Sequence, residues 1–153
     1  LNALYLKDSD VIELLKDRLS KNSSITILSS IATTTVVEDQ NAEYHYTRGA
    51  IEGLAKYYAV KLGPNGTRVN CIQPTVIFKI ENKNYFSKKN NLTRKIIEKI
   101  TPMKRMGKAE DIANLVNFLS SDEATFITGC IIPVDGGARL KSQEHLMRIN
   151  IKI

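Results

Sequence analysis

Gly63-Pro64-Asn65-Gly66-Thr67-Arg68-Val69-Asn70-Cys71-Ile72-Gln73-Pro74 is the stretch that decides the fold. Its first four residues stop a helix, because proline and glycine continue one only at a cost. Thr67 to Ile72 is then a short apolar run of the kind a buried strand needs, and Pro74 ends it. Working outward, residues 42–62 carry a long helical pattern, with Ala50, Leu54, Tyr57, Tyr58 and Leu62 on adjoining faces. Ile25-Thr26-Ile27-Leu28 is a second short strand bounded by serines, and residues 29–41 read as loop. Val11, Ile12, Leu14, Leu15 and Leu19 place an amphipathic helix over residues 8–20.

Downstream, residues 92–100 suit a short helix. Ile112, Leu115, Val116 and Leu119 mark a clear one over residues 109–120. Cys130-Ile131-Ile132-Pro133-Val134 is a third strand, and Asp135-Gly136-Gly137 turns out of it. Strands alternating with helices predict an α/β fold with about three parallel strands and right-handed crossovers. Open sheets of this kind hold ligands at the carboxyl ends of their strands. Those ends carry Ser29-Ser30, Gln73-Pro74-Thr75 and Asp135-Gly136-Gly137.

An apolar share of 42% and a charged share of 25% suit a soluble globular chain, and 153 residues suit one domain. No run approaches the ~18 apolar residues of a membrane span. The first residues lack the basic flank of a signal peptide, so the expected compartment is the cytoplasm. Cys71 and Cys130 lie in apolar runs and read as buried, reduced thiols. The net charge of +6 is uneven: residues 77–108 hold ten basic and two acidic side chains, a local +8. No nucleic-acid motif accompanies that stretch, so a solvated basic segment is expected and nucleic acid is not.

Six pieces in register carry more. They are Ser24-Ile25-Thr26-Ile27-Leu28-Ser29-Ser30-Ile31-Ala32; Tyr44-His45-Tyr46-Thr47-Arg48-Gly49-Ala50; and Arg68-Val69-Asn70-Cys71-Ile72-Gln73-Pro74. Pro102-Met103-Lys104-Arg105-Met106-Gly107-Lys108-Ala109-Glu110-Asp111-Ile112-Ala113, Phe118-Leu119-Ser120-Ser121 and Ile127-Thr128-Gly129 through Asp135-Gly136-Gly137 follow. In this order and spacing they resemble the second half of short-chain dehydrogenases/reductases, from about residue 2 to residue 138. The resemblance implies the C-terminal half of a Rossmann-like doubly wound sheet over residues 1–140, with residues 141–153 as a tail. It implies NAD or NADP as cofactor and hydride transfer between nicotinamide and a small carbonyl or alcohol substrate.

On that resemblance the catalytic group is Ser30, Tyr44, Arg48 and Asn2. Ser30 takes the position that binds the substrate oxygen, and Tyr44 the position that moves the proton. Asn2 takes that of the asparagine holding a relay water. A phenol titrates near pH ~10 and works near neutrality only beside a cation. The family places a lysine four residues after the tyrosine; here it is Arg48, on the same helical face. Arginine keeps the charge but has a broader head and does not release its proton. Tyr46 is a rival phenol, but Ala50 follows it at that spacing.

The implied cofactor contacts are Tyr44, Arg48, Pro74, Thr75, Ile77 and Lys79. The family's Pro-Gly is Pro74-Thr75 here, and Lys79 replaces a threonine that contacts cofactor phosphate. None of the eight glycines forms a Gly-rich phosphate turn after a strand. These departures predict an impaired or truncated oxidoreductase. The alternative is a non-catalytic subunit that docks on a homologue through residues 42–62. In the family that helix pairs with its own copy, so homo-oligomerisation is expected. His45 has no metal-ligand pattern around it and reads as a surface or capping residue. Tyr57 and Tyr58 read as packing residues at a helix interface.

Overall fold

A computed structural model describes residues 5–87, 91–142, 144 and 148. Asn2 and most of the expected tail lie outside the described residues. The chain begins with helix α1 (Tyr5–Leu15), which tightens into a 3₁₀ turn at Lys16–Arg18, short of the expected end at residue 20. Strand β1 (Ser24–Leu28) leads to a 3₁₀ turn at Ile31–Thr33, inside the stretch read as loop. Helix α2 (Ala42–Leu62) has the expected bounds. The Asn41 side chain caps it by accepting from the Tyr44 N–H at 2.9 Å. At its far end Gly66, with φ of 78°, takes the left-handed conformation that turns the chain into β2 (Arg68–Pro74).

Strand β2 runs two residues beyond the expected Ile72. Proline is tolerated because it occupies the strand's last position, after which the Thr75 N–H donates to the Val134 carbonyl. Two short strands then pair with each other, β3 (Ile77–Phe78) and β4 (Gly107–Lys108). Between them lie α3 (Lys83–Phe86) and α4 (Leu92–Ile100). The β3–β4 ladder and α3 are additions to the sequence reading, whereas α4 falls where expected. Helix α5 (Ala109–Ser120) also matches, and β5 (Ile131–Val134) starts one residue late.

The main sheet has the order β1-β2-β5, all parallel. Ile25 and Ile27 of β1 sit beside Val69 and Cys71 of β2, and this row packs on Ile51, Ala55, Tyr58, Ala59 and Leu62 of α2 and Ile12 of α1. Alternate residues face α5. Buried Asn70 fastens the chain before β5, donating to the Ile127 carbonyl at 2.8 Å and accepting from the Cys130 N–H at 3.1 Å. Both cysteines are free. Cys71 is buried as expected, but Cys130 is exposed, because it precedes β5 in the turn that follows Gly129. Of the paired tyrosines, Tyr58 is buried and its hydroxyl meets Glu13, while Tyr57 faces outward. No described helix is long and apolar enough to cross a membrane.

Candidate active site

Three elements converge at the carboxyl end of the main sheet. Past the end of β1 the Ser29 N–H still donates to the Ile72 carbonyl at 2.8 Å, prolonging the ladder before the chain turns away. Ser30 follows in extended conformation. It is buried, and its hydroxyl accepts from the Ala32 N–H at 3.2 Å, capping the 3₁₀ turn. That contact leaves the hydroxyl proton uncommitted. Tyr44 lies in the first turn of α2, and Arg48 one turn later. The Arg48 guanidinium stacks over the Tyr44 ring, 4.9 Å from its centroid, and its Nη1 donates to the Leu28 carbonyl at 3.2 Å. Among the described residues no hydrogen bond joins the Tyr44 hydroxyl to Ser30 or Arg48.

Tyr44, Pro74, Thr75, Ile77 and Lys79 line one open groove of about 800 Å³. Leu28, Gln40 and Asn82 complete its near side, and Ile112, Ala113 and Val116 of α5 its far side. The structure thus gathers five of the expected cofactor contacts in one place, with Arg48 against Tyr44. Lys79 is exposed, and its backbone N–H donates to Asn82 Oδ1 at 2.8 Å. His45 is a brace: its Nε2 accepts from the Val37 N–H at 3.2 Å and holds the loop before α2. Among the described residues no cluster of His, Cys, Asp and Glu could hold a metal.

One participant escaped the sequence reading. Glu52 Oε1 accepts from Ser29 Oγ at 2.9 Å and Thr33 Oγ1 at 2.8 Å, and it lies 3.1 Å from Gln73 Nε2. Gln73 Nε2 also donates to Thr33 Oγ1 at 2.6 Å. One carboxylate oxygen therefore ties α2 to the ends of β1 and β2, the strands that deliver Ser30 and Pro74. The signal was available in the spacing. Tyr44, Arg48 and Glu52 stand four residues apart, so all three share a helix face.

Comparison with known proteins fixes the ancestry. A family model described as enoyl-(acyl carrier protein) reductase matches residues 10–139, and the chain belongs to the short-chain dehydrogenase/reductase family. Dehydrogenase/reductase SDR family member 4 of Rattus norvegicus is 34% identical over 117 residues, covering 74% of this chain and 40% of the relative. A short chain dehydrogenase family protein from Francisella tularensis has a similar structure, with a TM-score of 0.76 and 29% identity. The match covers 89% of this chain and 59% of that one. 4-Hydroxyisoleucine dehydrogenase, solved in complex with NADH, superposes with a TM-score of 0.75 at 27% identity, covering 90% of this chain and 55% of that one. The chain spans less than half the length of the curated relatives it matches. The α/β fold with a parallel sheet is the family's fold.

Proposed function

We propose that this chain carries the catalytic side of an NAD(P)-dependent oxidoreductase acting on a small carbonyl or alcohol. The observation that carries the reading is Tyr44, backed by the Arg48 cation, on the wall of the groove formed with Pro74, Thr75, Ile77 and Lys79. The residues present suit the nicotinamide end of the cofactor: an aromatic hydroxyl, a backbone turn at Pro74-Thr75 and a free lysine. When bound, the nicotinamide supplies or accepts the hydride. The similar dehydrogenase solved with NADH supports that choice of cofactor class.

Ser30 donates its free hydroxyl proton to the substrate oxygen. Tyr44 gives that oxygen a proton in reduction and takes one in oxidation. Arg48 favours the charged phenolate by its fixed positive charge, but a guanidinium cannot pass a proton on. Proton resupply to Tyr44 therefore runs through solvent at the open groove, and turnover is slow. Asn2 takes the place of the relay-water asparagine. The test is a titration with NADH and NADPH, followed by turnover on a panel of ketones and aldehydes. Saturable cofactor binding is expected, with turnover lost in Tyr44→Phe and raised on the order of tenfold in Arg48→Lys. No binding at millimolar cofactor refutes the reading.

A second reading has its own observation. Tyr46, Tyr57 and Val60 are exposed along α2, and a Cβ added at Gly49 or Gly53 would meet nothing. That smooth, partly apolar stripe suits a helix from a second copy or from a longer relative. In this reading the chain is a non-catalytic subunit. Light scattering checks it: a dimer that Val60→Glu converts to monomer is expected.

A further inference from the structure

Thr75 and Val76 line both the Tyr44 groove and a second, more enclosed pocket of about 270 Å³, so the two cavities meet there. The second pocket lies at the carboxyl ends of β2 and β5, where open sheets hold ligands. Its apolar lining comes from separate elements: Val76 after β2, Ile97 of α4, Met103 and Met106 ahead of β4, and Val134 at the end of β5. Met106 is buried and Met103 exposed, so Met103 marks the mouth. Thioethers adapt to ligands of varied shape. Gly136 lets loop 101–103 close over the end of β5: its φ is 59°, and a Cβ there would come within 2.8 Å of Thr101 Cγ2 and 3.6 Å of Met103 Cβ.

The charged groups of the lining are already engaged. Arg105 donates to both oxygens of Asp111, at 2.7 and 2.8 Å, and Asp111 also accepts from the Lys108 N–H at 2.7 Å. The two oxygens of Asp135 accept from the Gly137 and Arg139 N–H groups at 2.9 and 3.0 Å. Thr101 Oγ1 donates to the Ile97 carbonyl at 2.7 Å. An anionic group entering here would meet two carboxylates, and the one cation of the lining is held by Asp111. A sugar would bury several hydroxyls against thioether and aliphatic carbon, each unpaired one costing a factor of about ten. A hydrocarbon arm carries neither penalty and gains by leaving water. Thr75, at the boundary, can meet one polar atom where such an arm joins the reacting carbon.

We propose that this pocket takes the uncharged apolar arm of the substrate and thereby selects a small aliphatic ketone, or the matching secondary alcohol, over sugars and acids. At roughly 30 Å³ for each water-sized group, its volume admits an arm of up to about nine non-hydrogen atoms. The affinity for an apolar arm stands by itself; its assignment to a substrate rests on the oxidoreductase reading.

The test is a titration of the full chain, isotope-labelled at its methionine methyl groups, with methyl alkyl ketones from butanone to octan-2-one. Saturable shifts at the Met103 and Met106 methyls are expected, with affinity rising about fourfold per added methylene. Hexanoate should bind about tenfold more weakly than hexan-2-one, and the ketopentose ribulose should cause no saturable shift. Met103→Trp crowds the exposed mouth and should weaken octan-2-one on the order of tenfold, read at Met106. Leu92→Trp, at an exposed position outside the pocket, should leave binding unchanged. Affinity that ignores chain length, hexanoate or ribulose binding as tightly as the ketone, or indifference to Met103→Trp overturns the pocket. Turnover with NADH or NADPH separates the two claims, and kcat/KM that climbs with chain length in step with affinity is expected. Ketone binding without turnover sinks the oxidoreductase reading, and the substrate assignment with it, but leaves the apolar pocket standing. Turnover whose KM ignores chain length does the reverse.

Discussion

Residues 24–74 and residues 75–108 build two walls of the same groove by different physical means. The first wall is a packed sheet and helix: Ile51, Ala55, Val69, Cys71 and Ile72 are no more than 1% exposed. The second wall is held by short-range polar contacts. Asn82 locks one turn, Asn91 caps α4 and donates to the Tyr85 carbonyl, and Arg105 grips Asp111 through both carboxylate oxygens. Of the groups proposed to handle protons, Tyr44 lines the packed wall, and Ser30 is buried at the end of β1 without lining the groove. Lys79, the charged group beside Thr75 and Ile77 among the proposed cofactor contacts, sits on the other. Chemistry needs fixed geometry, which burial supplies; recognition by point charges tolerates a looser frame.

The contrast breaks first in the core. Ile72→Ala removes a fully buried side chain from β2 and should cost about 3 kcal/mol, measured by denaturant unfolding. Ile96→Ala, on the half-exposed face of α4, should cost under about 1 kcal/mol. Equal losses would mean that the second wall is packed as tightly as the first.

Next comes Glu52. Glu52→Ala removes the acceptor shared by Ser29, Thr33 and Gln73, leaving each with one other partner, and should cost about 2 kcal/mol, while Glu52→Gln, which keeps an acceptor oxygen, should cost less than half of that. If glutamine and alanine prove equally harmful, the carboxylate is not acting as a shared acceptor.

The second wall answers to pH. The Arg105 guanidinium, and after it the Lys108 N–H, lower the Asp111 carboxyl from 3.8 to about 2. A carboxyl depressed on folding stabilises the native state above its unfolded value. That contribution fades as pH falls from about 4 to about 2. Allowing for the pair's partial exposure, the loss is on the order of 1 kcal/mol. Asp111→Asn should lack this component, so the stability difference between variant and parent should shrink across that window. A difference that stays constant removes the ion pair from the account. Smallest of all, Arg94→Ala breaks an exposed i,i+4 pair with Glu98 and should change stability by no more than about 0.5 kcal/mol.

The two walls also differed in how well they could be read from residues alone. β1, β2, β5, α2 and α5 announced themselves because a buried face imposes a period of two or about 3.6 on the residues that fill it. The β3–β4 ladder has two residues a side, too few for any period. It is specified by close fit: a Cβ at Gly107 would come within 2.6 Å of the Ile77 side chain. Pro74 looked like the end of its strand and turned out to be its last paired residue. Tyr44, Pro74, Thr75, Ile77 and Lys79 were named through resemblance and line one groove, with Arg48 stacked on Tyr44 outside its lining. The spacing behind Tyr44 and Arg48 put Glu52 on the right helix face, but its partners depend on where two strand ends arrive, which a helix pattern does not encode. The exposure of Cys130 was hidden by its apolar neighbours.

The bond from Arg48 to the Leu28 carbonyl reaches beyond catalysis. Because the Ser29 N–H points to β2, the Leu28 carbonyl points the other way, off the side of β1 that faces away from β2 in the described sheet. A charged guanidinium seated there satisfies that carbonyl, so a strand laid along this margin at Leu28 has to displace it. The cation that stacks on Tyr44 thereby also sets how far backbone pairing along β1 can extend.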